Sequence, residues 1–459
     1  MGEGRGRRVV IVGLARQGKA LARYFADQGA EVVITDLRST DELRPAIEEL
    51  AGLPLEFALG GHPDELLADA RLLCLSGGVP ADLPLAQQAR RRGIPVSNDS
   101  QLFLEACPAR AIGITGSAGK TTTTALLGEM ALRWTRDSGA RALVGGNIGR
   151  PLLADLAQIR GDDLVVMELS SFQLELMTVS PAIAVVLNLT PNHLDRHHTM
   201  EAYTAAKARI LDYQSADDIA VLGAEDAGAW RLRERVRGRL MGFAHKLPDG
   251  IPGAEVDGAS VLVRSDGAAR TVCARAAIQL RGDHNLLNVL AACAAASAAG
   301  IHEAAMAEAI AEFRGVPHRL EFVRRVGGVD WFNDSIATTP ERSLAAIRSF
   351  EAPLVLLAGG RDKDLDWGEF AEVVRRRVDH LVLFGEAAEK IAAAVGPVEP
   401  HNCLQTIDRA AGLAQAVQLA ASRASHDDVV LLAPGGTSFD EFVDFAERGE
   451  RFREWVRAL

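Results

Sequence analysis

The sequence predicts an α/β protein of three domains, each built on a mostly parallel sheet. Three observations predict it. The chain opens with an apolar run, a glycine turn and a helical pattern over 8–20. A second such junction is Gly113-Ile114-Thr115-Gly116-Ser117-Ala118-Gly119-Lys120-Thr121-Thr122, after an apolar run that begins at Ala109. Later apolar runs at 353–358, 380–384 and 429–433 each end in a polar or glycine-rich loop, and helical stretches such as 367–374 lie between them. Buried parallel strands crossed by helices read this way. At 459 residues the length also suits about three domains. The expected boundaries are 1–107, 108–315 and 316–459.

The first domain is Rossmann-like. Its second strand, 31–35, runs into Asp36, an acid about 20 residues beyond the first turn, as in dinucleotide folds. Ala15 stands where a dinucleotide fingerprint needs its second glycine, so NAD is disfavoured. The turn can equally be structural. Strands at 72–76 and 94–96 continue the alternation, and Ser76-Gly77-Gly78-Val79-Pro80 is a glycine-rich loop at a ligand-binding edge.

The central domain is of P-loop ATPase type. A tight turn between strand and helix aims backbone N–H groups at one point, the helix dipole adds partial positive charge, and Lys120 adds a full one. Thr121 offers a hydroxyl to the Mg²⁺ that accompanies ATP. The loop is a shortened form, with Ile114 where the general pattern has its first glycine. Strands are expected at 163–168 and 182–188, and helices near 285 and over 304–313. The third domain is again Rossmann-like.

Composition bounds the rest. Hydrophobic residues make up 48% of the chain, and the net charge of −11 disfavours a nucleic-acid partner. No apolar run approaches the roughly 18 residues of a membrane span, and no signal peptide is evident. The five cysteines are scattered, as in a reducing cytoplasm, and a monomer is expected.

Several side chains are placed for chemistry. Glu168 ends an apolar strand near the loop, as a second Mg²⁺ holder or as an acid favoured at a helix start. His193 lies in a polar cluster after the strand that ends at Asn188, as a metal ligand or a plain hydrogen-bonding residue. Lys207 lies on the apolar stripe of Met200, Tyr203, Ile210 and Leu211. Snorkelling is the plainer reading; a buried amine of depressed pKa could instead react with carbon dioxide. Arg319 could reach a γ-phosphate or pair with Glu321. Lys363 and Ser438 follow different strands of one sheet and could jointly hold a carboxylate.

The order and spacing of several segments resemble the Mur ligases, ATP-dependent amino-acid ligases of peptidoglycan precursor synthesis, over essentially the whole chain. They are Thr115 to Thr121, Gly145-Gly146-Asn147-Ile148-Gly149, Glu168-Leu169-Ser170-Ser171-Phe172-Gln173, His193-Leu194-Asp195-Arg196, Tyr203 to Lys207, Gly282-Asp283-His284-Asn285, Pro317-His318-Arg319 and Asn333-Asp334-Ser335. The segments at Glu168 and at Ser438-Phe439-Asp440 point to a glutamate-adding member. The resemblance implies ATP-dependent joining of D-glutamate to UDP-N-acetylmuramoyl-L-alanine through an acyl phosphate, and two Mg²⁺ ions. Thr121 and Glu168 would hold one ion; His193 and a carbamylated Lys207 would serve the other. Lys120, Glu168, His193 and Lys207 would be catalytic. ATP would meet residues 116–122 (Gly116, Ser117, Ala118, Gly119, Lys120, Thr121, Thr122), with Asn285, Asn288, Arg319 and Asp334. The UDP substrate would meet Arg16, Gln17, Asp36, Leu37, Arg38, Ser76, Gly78, Asn147, Ser170, Gln173 and His193. Glutamate would meet Thr338, Lys363, Ser438 and Phe445. Two departures stand out. Ala118 replaces a usual asparagine, at a position whose backbone matters more than its side chain. Ile336 replaces a lysine often found after Asn-Asp-Ser, so one cationic contact is missing or supplied elsewhere. L-glutamate, a folylpolyglutamate-synthase-like substrate and a regulatory ATPase are the alternatives.

Overall fold

The computed structural model describes residues 6–136, 138–191, 194–265, 267–280, 282–362 and 365–459, without the side chains of Leu194 and Asp195. Among these residues the strands form three sheets.

The first sheet orders its strands β3-β2-β1-β4-β5, all parallel. They are β1 (Arg8–Val12), β2 (Glu31–Asp36), β3 (Leu55–Leu59), β4 (Ala70–Leu75) and β5 (Val96–Ser97). Val10, Ile11 and Val12 are fully buried, because helices cover both faces. The strand order reverses between β1 and β4, so the loops at Gly13 and Ser76 flank the crevice where such sheets bind ligands.

The second sheet contains β6 (Arg110–Thr115), β7 (Ala142–Gly146), β8 (Leu164–Glu168), β9 (Ile183–Val186), β10 (Ile219–Gly223), β11 (Arg239–Phe243), β12 (Gly253–Asp257), β13 (Ser260–Ser265) and β14 (Ala268–Ala274), in the order β14-β13-β12-β11-β10-β9-β6-β8-β7. It is parallel from β7 to β12 and turns antiparallel over β12, β13 and β14. β6 lies between β8 and β9, so its C-terminal loop meets the ends of both neighbours.

The third sheet orders β15 (Glu321–Val326), β16 (Val329–Asn333), β20 (Val429–Gly435), β17 (Leu354–Gly359), β18 (His380–Phe384) and β19 (Thr406–Arg409). Only β15 runs antiparallel among these described strands.

The chain forms two compact units, Met1–Phe313 and Arg314–Leu459. The first unit holds two sheets because one apolar layer serves both. Ile11 and Leu21 share a core cluster with Val165, Met167 and Leu174. Polar ties reinforce it: Asn98 Nδ2 donates to the Gln173 carbonyl at 2.8 Å, and Arg16 donates to the Gly149 carbonyl at 2.8 Å. Among the described residues no helix is long and apolar enough to cross a membrane.

Candidate active site: a phosphate loop with two lysines and a carboxylate

The loop after β6 is the centre of the site. Gly116 has φ 154° and Gly119 has φ 86°, backbone that favours glycine. A Cβ on Gly119 would lie 2.2 Å from Asn288 Oδ1. Ile114 is fully buried within β6, which continues to Thr115, so the shortened loop gives its usual first glycine position to the strand core. The helix Lys120–Thr135 follows directly.

Asn188 holds the loop from its far wall. Its Oδ1 accepts from the Ala118 N–H at 2.9 Å and its Nδ2 donates to the Ala118 carbonyl at 3.1 Å. The Ala118 side chain takes no part, as the sequence suggested. Ser117 Oγ donates to the Thr190 carbonyl at 2.8 Å and accepts from Tyr203 Oη at 3.0 Å.

Two amines converge on one carbonyl. Lys120 Nζ donates to the Gly116 carbonyl at 2.8 Å and to that of Ser117 at 3.1 Å. Lys207 Nζ donates to the same Gly116 oxygen at 2.9 Å and to Thr115 Oγ1 at 3.3 Å. Lys207 is 1% exposed, which corrects the snorkelling expectation. The helix Met200–Asp212 turns its apolar stripe to the sheet, and the lysine stem is carried inward with it. Burial, and then the nearby Lys120 charge, hold the Lys207 amine well below the ordinary lysine range, while Glu168 acts in the opposite direction.

Glu168 ends β8 and is 2% exposed. Thr121 Oγ1 donates to its Oε2 at 2.9 Å, and Asn147 Nδ2 donates to its Oε1 at 2.7 Å. Gly146, at φ 96°, allows that approach: a Cβ there would meet the Glu168 carbonyl at 2.5 Å. Capping of the short helix Ser171–Leu174 falls to Ser170, which leaves the Glu168 carboxylate facing the loop. A hydroxyl and a carboxylate are hard oxygen donors that fit Mg²⁺, and no cluster of three or more acidic, His or Cys groups forms a closed cage among the described residues. His193 lies outside the described residues. Its neighbour His197 is buried, stacks on Phe172 at 5.3 Å and meets Ser171 Oγ at 3.0 Å.

Asn285 and Asn288 sit in the first turns of the helix Asp283–Ala299 and join at 3.1 Å. Asn288 also meets Thr123 Oγ1 at 3.5 Å, beside the loop. Thr122 is half-buried in the first turn after Lys120.

At the first sheet, Asp36 is a structural organiser. Its Oδ2 accepts from the Leu14 N–H at 2.9 Å, and its Oδ1 from the Arg38 N–H and Nε, each at 3.0 Å. Burial raises its pKa, but the Arg38 and Leu14 hydrogen bonds win and bring it to about 2. Leu37, by contrast, is 70% exposed. Gln17 Oε1 accepts from the Gly77 N–H at 2.6 Å, which ties the first turn to the loop of Ser76 and Gly78. Ser76 is buried against Gly13, where a Cβ would come within 3.1 Å. Gln173 is also buried, its amide committed to Ser170 and, at 2.8 Å, to Ser100.

The second unit carries its own polar edge. Asp334 follows β16, and its Oδ1 accepts from the Leu320 N–H at 3.0 Å. Burial pushes this carboxyl up to about 6, while Arg319 and Arg342 pull the other way. Glu321 does not serve Arg319. It accepts from the His318 N–H at 2.7 Å, from Asn333 at 3.1 Å and from Arg453 at 2.8 Å. Loops after β17 and β20 are bridged by Arg361 and Thr437, whose N–H groups reach each other's carbonyls at 2.8 and 2.9 Å. Ser438 follows directly and is buried. Lys363 belongs to the same β17 loop but lies outside the described residues. Thr338 is half-buried, and its N–H donates to the Ile336 carbonyl at 2.9 Å. Phe445 is 36% exposed, and its carbonyl accepts from Ser335 Oγ at 2.7 Å.

Asn188, Arg342 and Arg448 were missed from sequence. Arg448 is wholly buried and donates to Ser335 Oγ at 3.0 Å, the Ser335 carbonyl at 2.8 Å and the Gly436 carbonyl at 3.1 Å. The signal for Asn188 was a polar residue at the end of a buried strand. Arg448 sits in a charged helix and gave none.

Fold and loop together define an ATP-using α/β enzyme of three domains. Family models match in chain order: a Mur ligase MurD-like N-terminal domain over 7–98, a Mur ligase middle domain over 114–296 and a Mur ligase glutamate ligase domain over 318–436. The UDP-N-acetylmuramoylalanine–D-glutamate ligase of Symbiobacterium thermophilum is 42% identical over 453 residues, covering 98% of each chain. That of Pelotomaculum thermopropionicum is 40% identical over 99% of this chain and 98% of its own. The MurF ligase of Thermotoga maritima, solved in complex with ADP, shares the fold at a TM-score of 0.54 and 18% identity, over 100% of both chains. The chain belongs to the Mur ligase family.

Proposed function

We propose that this enzyme joins D-glutamate to UDP-N-acetylmuramoyl-L-alanine at the expense of ATP, through an acyl phosphate. The observation that carries the chemistry is the convergence of Lys120 and Lys207 on the Gly116 carbonyl beside the Thr121–Glu168 pair. Full-length similarity to ligases of that name supports the choice of substrates.

A carboxylate oxygen is a poor leaving group, so the alanyl carboxylate must first be activated. The carboxylate attacks the γ-phosphorus, the bond to ADP breaks, and an acyl phosphate forms. The glutamate amine then attacks the acyl carbon, phosphate leaves, and the amine proton passes to solvent. The loop amides at the start of the helix Lys120–Thr135 receive phosphate oxygens, and Lys120 leaves its loop carbonyls to meet the transferring group. Thr121 and Glu168 would hold a Mg²⁺ ion, which would supply positive charge to neutralise the phosphoryl oxygens. His193 and Lys207 would serve a second ion. The depressed amine of Lys207 can add to carbon dioxide, losing one proton to become an anionic carbamate beside Lys120.

Residues 1–107 would hold the UDP substrate, through Arg16, Gln17, Asp36, Leu37, Arg38, Ser76 and Gly78. Asn147, Ser170 and Gln173 would stand nearer its sugar portion, Ser170 and Gln173 by shaping the wall. Residues 108–315 would hold ATP, with Asn285 and Asn288 steadying the loop. Residues 316–459 would hold glutamate through Thr338, Lys363, Ser438 and Phe445, and would present Arg319 and Asp334 to the nucleotide. The cysteines, all unpaired, suit a cytoplasmic enzyme, and a monomer is proposed.

The test is the pair of lysine variants. Lys207→Ala should lose turnover by at least about a thousandfold and regain part of it with a short carboxylic acid added. Normal activity without the acid would remove the carbamate. Lys120→Ala should be inactive yet still bind the UDP substrate; full activity would remove the phosphate-loop assignment.

A further inference from the structure

Four consecutive polar residues, Asn98, Asp99, Ser100 and Gln101, are buried where the helix Asp99–Ala106 begins. Three of them fasten this turn to the segment 170–178 beyond β8. Asn98 Nδ2 donates to the Gln173 carbonyl at 2.8 Å, and Ser100 Oγ accepts from Gln173 Nε2 at 2.8 Å. Gln101 exchanges hydrogen bonds with Thr178 at 2.7 and 3.0 Å. Asp99 is the fourth. It is buried, and its Oδ1 has no partner among the described residues. A buried carboxyl so served is costly, and such a cost is characteristic of a group kept for a site.

Two glutamines turn the same end toward it. Gln17 Oε1 accepts from the Gly77 N–H at 2.6 Å. Gln173 Oε1 accepts from the Ser170 N–H at 3.0 Å and from Ser170 Oγ at 2.8 Å. With both oxygens spent, each side chain has its NH2 group left to give, and both amides donate to the Asp99 carboxyl. A carboxylate accepts only, which is what two NH2 groups need between them. It therefore sets both amides in one sense, oxygen outward. One oxygen faces the loop of Ser76 and Gly78, and the other faces the wall at Ser170. The first contact is close: a Cβ on Gly77 would stand 2.0 Å from Gln17 Oε1, so the loop follows the amide. Gln17 belongs to the helix Arg16–Asp27 and Gln173 to the helix Ser171–Leu174. Asp99 thus joins the first sheet's turn to the second sheet's wall inside one compact unit.

We propose that Asp99 is a positioning residue for the UDP substrate, which acts through the Gln17 amide to fix the Gly77 N–H, and with it the loop 76–78, against the wall at Ser170. This rests on the ligase reading above and on its assignment of that loop to the UDP substrate. Asp99 itself does not touch the substrate. Without the carboxylate the Gln17 amide is free to turn, and once turned it sets an NH2 group against the Gly77 N–H and displaces the loop.

The experiment is steady-state ADP release by the full chain, with UDP-N-acetylmuramoyl-L-alanine, ATP and D-glutamate varied one at a time. It is run at about pH 8, where most of the Asp99 carboxyl is ionised. The proteins are wild type, Asp99→Ala, Asp99→Asn, Gln17→Ala and the double variant Gln17→Ala/Asp99→Ala. Asp99→Ala should raise KM for the UDP substrate about tenfold or more, with kcat and the other two KM values within about threefold. Asp99→Asn keeps the shape and one acceptor oxygen, so its rise should be smaller, about threefold; it decides the question if Asp99→Ala does not fold. In the Gln17→Ala background, Asp99→Ala should add no more than about twofold, because its route to the loop is already cut. A purely structural role would not give that split or that non-additivity. The inference is overturned by an active wild type with an unchanged KM for the UDP substrate in the Asp99 variants, by an equal rise in all three KM values, or by a further tenfold rise in the Gln17→Ala background. A wild type without glutamate-dependent release overturns the ligase reading, and the inference with it.

Discussion

At the residue scale, the site depends on groups whose burial alters their chemistry. Gly119 is the sharpest steric case. Its φ of 86° disfavours a side chain, and a Cβ there would stand 2.2 Å from the Asn288 oxygen. Gly119→Ala should weaken ATP binding at least about tenfold, because the loop must shift to relieve the clash; calorimetry with ATP checks this, and unchanged affinity would contradict it. Asp99 shows the same principle outside the loop. It is 3% exposed, its Oδ1 has no partner among the described residues, and burial pushes its pKa up to about 7, against hydrogen bonds from Ser100, Gln173 and Gln17. Its folded pKa therefore lies above the unfolded value of 3.8. The folded state holds the extra proton, so this stabilisation is complete below about pH 4 and is lost as pH rises through about 7. Asp99→Asn, which keeps the neutral form, should gain at least about 3 °C in Tm over wild type on going from about pH 4.5 to pH 8. Thermal melts at the two pH values decide it, and a difference independent of pH would contradict the assignment.

At the element scale, most of the strands that were legible are buried on both faces. β1, β6, β8, β17, β18 and β20 are nearly continuous apolar runs closed by glycine or polar residues, and they were placed to within a few residues. β3, β7, β10, β11, β15, β16, β19 and the β12–β14 meander were not placed, although β10 is wholly buried. β13 alternates buried and half-exposed residues over a short stretch, and β14 is mostly exposed, so neither forms an apolar block. The site divides in the same way. The loop 116–122 is contiguous, and its phosphate chemistry can be read in place. Thr121 meets Glu168 across 47 residues and Asn188 meets Ala118 across 70, pairings that only the sheet order creates. Arg448 is the extreme case: it pins the loop after β16 to the loop after β20, although it belongs to the C-terminal helix Phe445–Ala458. Burial pushes its pKa down to about 10. Arg448→Lys should cost about 3 kcal/mol, because one ammonium cannot span the Ser335 and Gly436 groups and leaves buried acceptors unpaired. Urea unfolding measures this; a lysine variant as stable as wild type would refute the clamp.

At the scale of the whole molecule, three parallel-sheet domains are distributed over two compact units. The first two sheets share an apolar layer, which sequence reading could not foresee because each strand looks the same whichever sheet its face packs against. The family resemblance supplied the ligase reading; the structure adds the physical reasons that Lys207 is buried, Glu168 faces the loop and Ala118 needs no side-chain function. The most direct test of the central claim is ADP release with ATP, Mg²⁺ and UDP-N-acetylmuramoyl-L-alanine, comparing D-glutamate, L-glutamate and no amino acid, with the product mass read out. The account predicts release that depends on D-glutamate and a product heavier by one glutamyl residue. Release that is indifferent to the amino acid, with no heavier product, would contradict it.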